Sequence, residues 1–188
     1  DGSKKIDNQL EENYVINHIN KICKNESILK IGQNIKYDIR ILNKYGVIFN
    51  SIADTMLISY SIDNGIYKHN LDDLSFNHLN HTTIKYKEVV GTGKNEITFD
   101  KVPIDKATNY AAEDSLLTFR LFQNLYPRLI KEKANFVYKN IDLPLVDVLS
   151  SIEANGIEVN KKFLTNLSNE FENESKKLEK HIYKLSKE

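Results

Sequence analysis

The sequence predicts an α/β fold in which helices dominate. Three observations point there. Between residues 27 and 60 a short apolar segment, an amphipathic segment, a second short apolar segment and a second amphipathic segment follow one another; that strand–helix–strand–helix order gives a parallel sheet. Elsewhere apolar residues recur at three- and four-residue spacing over long stretches, near 104–125, 136–156 and 161–188, which is helical periodicity. The 188 residues, 40% hydrophobic and 28% charged, are enough for one cored domain or one domain and part of another.

Taken in order, residues 1–9, "DGSKKIDNQ", are polar and expected to be loose. Val15, Ile19, Ile22 and Cys23 then form one face of a helix. "SILKIG", 27–32, is short, apolar and ends in Gly, the pattern of a buried strand. "NIKYDIRILNKYG", 34–46, returns to helical spacing through Ile35, Ile39 and Leu42, with Asn34 suited to the N-cap and Gly46 to the C′ position. "VIFNSIA", 47–53, is a second, weaker strand; Asp54 or Thr55 caps the next helix, which carries Met56, Leu57 and Tyr60. "DNGIYKHN" is a loop, "LDDLSFNHLN" a short helix, and "VVGTGKNEITFDKVP" a loop with short pieces. A long helix near 104–125 ends around Pro127, and another stretch, 136–156, is kinked or restarted by Pro144 and closed by Gly156. From 161 to 188, Leu164, Leu167, Phe171, Leu178, Ile182 and Leu185 make an apolar seam that needs a partner.

Composition narrows the function. Lys+Arg and Asp+Glu are both 26, so bulk charge argues for neither nucleic acid nor membrane, and any polyanion site must be a local patch. The single cysteine, Cys23, allows no disulfide within the chain and fits a reducing compartment. No apolar run approaches membrane-spanning length and no signal-like segment opens the chain. Its first residue is Asp1, so a fragment of something longer is expected.

One helical face carries chemistry. Ala107, Tyr110, Ala111, Asp114, Leu117 and Leu121 share one arc, with Asp114 near the middle and Tyr110 one turn earlier. Burying an unpaired carboxylate is costly, so Asp114 needs a metal, an Arg or Lys, or several N–H donors. Asp38 lies at the edge of a second apolar stripe, between Leu42 and Tyr45 around the wheel. Two such acids can converge on a cation; equally, Asp38 in a first turn favours the helix dipole and Asp114 can join an arginine in a buried salt bridge. Other signals fail. "GTGKN" has Glu88 and Asn95 where a phosphate loop needs Gly and Ser or Thr. His78 and His81 have no Cys or third His nearby and read as surface histidines. Cys23 belongs to an apolar stripe, a helix cap explains Asp54-Thr55, and the C-terminal seam is too short to assign as a coiled coil.

"IGQNIKYDIRIL", "ADTMLISY" and "YAAEDSLLT" resemble, in that order, the 3′–5′ proofreading exonuclease domain of the bacterial DNA polymerase I family, the family A DNA polymerases. Asn34, Tyr37 and Asp38 match its second motif, and Tyr110 with Asp114 its third, Tyr-x-x-x-Asp. The resemblance extends through "HNLDDLSFNHLNHTTIKY" and "GTGKNEITF", and "IDLPLVDVLSSIEANGIEVN" is similar to the opening of the polymerase region.

The resemblance implies an RNase H-like exonuclease domain over 1–131, N-terminally truncated so that helices dominate, and the beginning of the polymerase domain, its thumb helices, over 132–188. It implies hydrolysis of DNA from a 3′ end with two divalent cations, Mg²⁺ or Mn²⁺, held by Asp38 and Asp114, while Tyr110 orients the attacking water. Gln33 and Asn34 would contact the phosphate or sugar near the 3′ end with Tyr37 beside them, Lys68 would lie near the strand's backbone, and Tyr86 would stack on a frayed base. Implied partners are a single-stranded 3′ end, primer-template DNA and a polymerase domain in cis; the implied location is the bacterial cytoplasm, at the nucleoid, with no membrane. The family's first motif, Asp-x-Glu on the first strand, has no counterpart here. The expectation is an incomplete metal site, a chain inactive alone, and an open sheet edge prone to self-association. The alternative is a silent domain that serves the polymerase as a DNA-binding or structural scaffold.

Overall fold

The computed structural model describes residues 9–186; residues 1–8 of the expected loose segment 1–9 lie outside them. Helix α1 (Glu12–Lys24) buries Cys23 and half-buries Val15 and Ile19. Ile22 departs from the expected stripe and is exposed. The docking of α1 is polar on one side: Asn20 Oδ1 accepts the Ile48 N–H at 3.1 Å and the Cys23 carbonyl accepts that of Asn50 at 3.0 Å.

The two expected strands pair in parallel, β1 (Lys30–Gly32) with β2 (Ile52–Asp54), in the register Lys30↔Ile52 to Gly32↔Asp54. Both are shorter than the apolar runs that announce them. Ile28 and Leu29 stay exposed because residues 25–28 form a turn, in which the Asn25 carbonyl accepts the Ile28 N–H at 3.2 Å and Asn25 Oδ1 that of Ser27 at 2.9 Å.

Helix α2 (Ile35–Asn43) buries Ile35 and Ile39. Asn34 occupies its N-cap position in the left-handed region, φ 57°, and its side chain makes no cap bond. The capping acceptor comes from β2: Asp54 Oδ1 takes the Asn34 N–H at 3.0 Å and Oδ2 that of Ile35 at 2.9 Å. At the far end Gly46, φ 76°, closes the helix as expected. Its N–H bonds to the Asn43 carbonyl at 3.0 Å and the Val47 N–H to that of Leu42 at 3.2 Å, the paired bonds of a Schellman motif.

Helix α3 (Thr55–Asp63) is capped by the same Asp54, whose Oδ1 also accepts the Met56 N–H at 2.9 Å. Of the residues the sequence places on this helix, Met56 and Leu57 are half-buried, with Leu57 packed against both core clusters. Thr55, Ile58, Ser59 and Asp63 are buried and Tyr60 is exposed. Three of those four are polar, and each has a partner: Thr55 Oγ1 donates to Gln33 Oε1 at 2.5 Å and lies 3.1 Å from the Gly32 carbonyl, Ser59 Oγ meets His69 Nδ1 at 2.9 Å, and Asp63 is gripped by Arg128. A wheel scored by hydrophobicity turns such a face outward.

Helix α4 (Leu71–Leu79) begins at an Asn70 cap, and α5 (Tyr86–Val90) is followed by single turns at Gly93–Asn95 and Phe99–Lys101. Helix α6 (Ile104–Lys131) packs on α3, α4 and β1, burying Leu117, Leu121, Leu125 and Leu129. It does not stop at Pro127. The ring removes one N–H from the ladder, but Gln123, whose carbonyl loses that donor, is exposed, while Leu125 and Leu129 on either side belong to the core.

Helix α7 (Asn135–Val137), a wide π turn at Tyr138–Asp142 and α8 (Leu143–Asn155) follow. The π turn ends two residues before Pro144, which cannot donate back to Asn140. Gly156, φ 72°, follows the last residue of α8. One core cluster joins Ile58, Leu74, Leu121, Leu125, Leu129 and Tyr138; another joins Ile35, Ile39 and Val146. The chain divides into a unit ending at Ala154 and one beginning at Asn155. The second contains α9 (Lys161–Ser186), whose seam is bare: Phe171, Leu178 and Ile182 are about 60% exposed.

Candidate active site

The β1–α2 turn, α2, the first turn of α4 and the middle of α6 surround an open cleft of about 450 Å³. Asp38 enters it from α2, Asp72 from α4, and Tyr110 with Asp114 from α6. The pairing of α6 with β1 and α4 brings these side chains, distant in sequence, to one place.

Burial raises the Asp114 carboxyl above the usual carboxylate range; the Tyr110 hydroxyl works against that, and the charges of Glu113 and Asp72 work with it. Tyr110 is in turn pushed up to about 12, first by burial and then by Asp114. Burial also raises Asp38, opposed by its own backbone N–H. Asp72 differs. Burial pushes its carboxyl up, but Lys85 and Thr83 outweigh that and hold it below the usual range; Lys85 Nζ lies 2.7 Å from Oδ2, and the Thr83 hydroxyl donates to Oδ1.

Among the described residues neither Asp38 nor Asp114 forms an ion pair with Lys, Arg or His. Two carboxylates without a cation, Asp114 half-buried and Asp38 exposed, open on a shared cleft and fit a hard divalent ion, which prefers carboxylate oxygen. No group of three or more His, Cys, Asp or Glu side chains at metal-holding spacing occurs among the described residues.

The other expected residues are placed unequally. Gln33 lines the cleft, but its side-chain amide is occupied: the NH₂ group donates to the His69 carbonyl at 2.8 Å and the oxygen accepts from the Thr55 hydroxyl at 2.5 Å. Asn34, Tyr37 and Lys68 are not among the lining residues; Tyr37 is 64% exposed and Lys68 sits in the exposed loop before α4. Tyr86 begins α5, and its half-exposed ring meets Tyr110 edge-on, centroids 6.2 Å apart.

Sequence reasoning missed Asp72, Glu113 and Phe99. Asp72 reads as an ordinary acid in a first helical turn. Glu113 reads as a solvated charge, yet its carboxylate contacts His81 Nε2 at 2.8 Å and takes the Ile84 N–H at 2.7 Å. Phe99 lies in an irregular stretch without periodicity, and its ring stacks on Tyr86 at 6.2 Å and 15°. His78 corrects the reading of surface histidines. It is largely buried, with Nε2 2.7 Å from the Tyr67 hydroxyl in the network that joins Asp63 to Arg128.

Comparison with known proteins identifies the family. The sequence model of a family described as 3′–5′ exonuclease matches residues 3–130. The chain is similar to DNA polymerase I of Rhizobium leguminosarum, 43% identical over all of this chain and 18% of that protein. It is also similar to DNA polymerase I of Pseudomonas aeruginosa, 36% identical over 96% of this chain and 20% of that protein, and of Borreliella burgdorferi, 35% identical over 82% and 17%. The chain thus spans about a fifth of the length of the curated relatives it matches. With a family match over most of its length and the acids of both motifs on one cleft, this chain belongs to the 3′–5′ exonuclease family of the family A DNA polymerases.

Proposed function

We propose that this chain forms part of a proofreading site that removes nucleotides from the 3′ end of DNA, in a protein that also carries a DNA polymerase. One observation carries the reading: Asp38, Tyr110 and Asp114, from two helices, line the same open cleft, and the two acids have no cationic partner among the described residues. The residues divide between an exonuclease region, 1–131, and the start of a polymerase region, 132–188.

Members of this exonuclease family generally use divalent metals. Asp38 and Asp114 would hold Mg²⁺ or Mn²⁺; once bound, two such ions lower the pKa of an attacking water and stabilise the leaving 3′ oxygen. The Tyr110 hydroxyl, pushed up to about 12, stays protonated at neutral pH and holds the water by a hydrogen bond. Tyr86 offers the terminal base a stacking face. Gln33, with its amide tied, presents the β1–α2 turn to the strand, while Asn34, Tyr37 and Lys68 meet the sugar-phosphate backbone further out. The partners are a single-stranded 3′ end and primer-template DNA, and the setting is the bacterial cytoplasm at the nucleoid. No helix among the described residues is long and apolar enough to cross a membrane.

Replacing Asp114 by Ala in the full-length protein should abolish 3′–5′ digestion of single-stranded DNA and leave DNA synthesis largely intact. Digestion preserved with synthesis lost overturns the assignment. A second reading, a silent scaffold, is favoured by the lack of a three-ligand cluster among the described residues. Mn²⁺ titration of the full-length protein separates the two: tight binding weakened by Asp38→Ala supports the enzyme, and the absence of saturable binding supports the scaffold.

A further inference from the structure

Residues 81–85 have no helix or strand, yet they are tied on both sides. From α6, one Glu113 oxygen takes the Ile84 N–H at 2.7 Å and the other lies 2.8 Å from His81 Nε2. From α4, Asp72 accepts the Thr83 hydroxyl and pairs with Lys85 Nζ at 2.7 Å. The Glu113 side chain is only 16% exposed, which shields its bond to the Ile84 N–H, while His81, Asp72 and Lys85 are partly open to water. The next residue is Tyr86. Its ring stands against Tyr110, 6.2 Å away at 64°, and Phe99, 6.2 Å away at 15°. Helix α5 has five residues, and the Tyr86 ring is half exposed. Its place beside the cleft is therefore set by the tethered segment that delivers it together with its contacts to Tyr110 and Phe99.

We propose that Glu113 is a positioning residue that holds Tyr86 in the attitude needed to stack on the terminal base of a DNA 3′ end. The inference rests on the exonuclease reading above. An aromatic ring on a free loop loses backbone and rotamer freedom when a base stacks on it; a ring already fixed by folding loses less, so affinity rises without a new contact to DNA. Adjacent acids of α6 thus have separate tasks, Asp114 in the cleft and Glu113 one step around the helix on the segment that carries the ring.

The test uses the full-length protein, EDTA to prevent digestion, and a single-stranded oligonucleotide ending in 3′-terminal 2-aminopurine. Quenching of that base reports stacking, and anisotropy of a 5′ label reports affinity. Wild type should quench and Tyr86→Ala should not. Glu113→Ala should weaken 3′-end affinity about tenfold, the scale of one lost stacking contact. Glu113→Gln, which keeps an acceptor for the Ile84 N–H, should recover most of it. In the Tyr86→Ala background Glu113→Ala should add nothing. Circular dichroism checks folding. If Glu113→Ala fails to fold, His81→Ala carries the test, with a loss of about threefold expected because Glu113 keeps its bond to the Ile84 N–H. Equality of either folded variant with wild type, or a loss that persists without Tyr86, overturns the inference alone. Absence of quenching in wild type overturns the exonuclease reading and the inference with it.

Discussion

Asp54 sits where β2 ends and takes backbone N–H groups from Asn34, Ile35 and Met56, so one buried carboxylate caps α2 and α3 together. Burial raises its carboxyl, and those N–H groups oppose the rise. Its own N–H donates to the Tyr138 hydroxyl at 3.1 Å, in the core. Tyr138→Phe leaves that N–H without a partner and should cost about 1–2 kcal/mol in urea denaturation. An unchanged midpoint would show that the bond contributes nothing. Asp63 works through charge. Burial pushes its carboxyl up, but the Arg128 fork and the Tyr67 hydroxyl outweigh this and hold it below its ordinary value. A folded value below the unfolded one means that the stabilisation is complete above about pH 4 and is lost as pH falls further. His78, held down first by burial, acts in the same sense, since the unfolded chain takes up its proton more readily. Asp63→Asn should therefore cost about 3 kcal/mol at pH 7 and flatten the acid limb of the stability profile. Equal slopes for variant and wild type below pH 5 would contradict this.

Helix α2 shows how far local sequence reaches. Its apolar spacing and the Gly46 stop are legible because both act within a few residues. The actual cap is not, because Asp54 arrives from 20 residues away. Gly46 has φ 76° and open space where a methyl group would stand, so Gly46→Ala strains the backbone without a clash and should cost about 1 kcal/mol in thermal denaturation. Gly32 is the opposite case: an added Cβ would stand 2.7 Å from Ile35 Cβ, at the corner that leads Asp38 into the cleft. Helix α6 corrects the weight given to proline. Pro127 predicts an early end, but the leucines at 125 and 129 keep the helix docked, and burial outweighs one lost ladder bond. Asp114 and Tyr110 are legible in this helix alone, since a carboxylate on an apolar arc is a local anomaly. Glu113 is not, because its partners lie on another segment.

Two units divide the chain at Ala154, and residues 156–160 between α8 and α9 are exposed and without helix or strand. Limited proteolysis should cut there first and leave the earlier unit resistant, as judged by mass spectrometry of the early fragments. First cuts within α6 would contradict it. At this scale the amino-acid sequence by itself determined the α/β class, the order of elements, the parallel strand pair and the family, because hydrophobic period, caps and motif order are written along the chain. Only the tertiary structure decided that Asp38 and Asp114 share a cleft with Asp72, that α3 buries its polar face, and that Glu113 and Asp72 tether the segment bearing Tyr86. Those outcomes depend on which distant groups satisfy a buried donor or charge, and that is settled by packing.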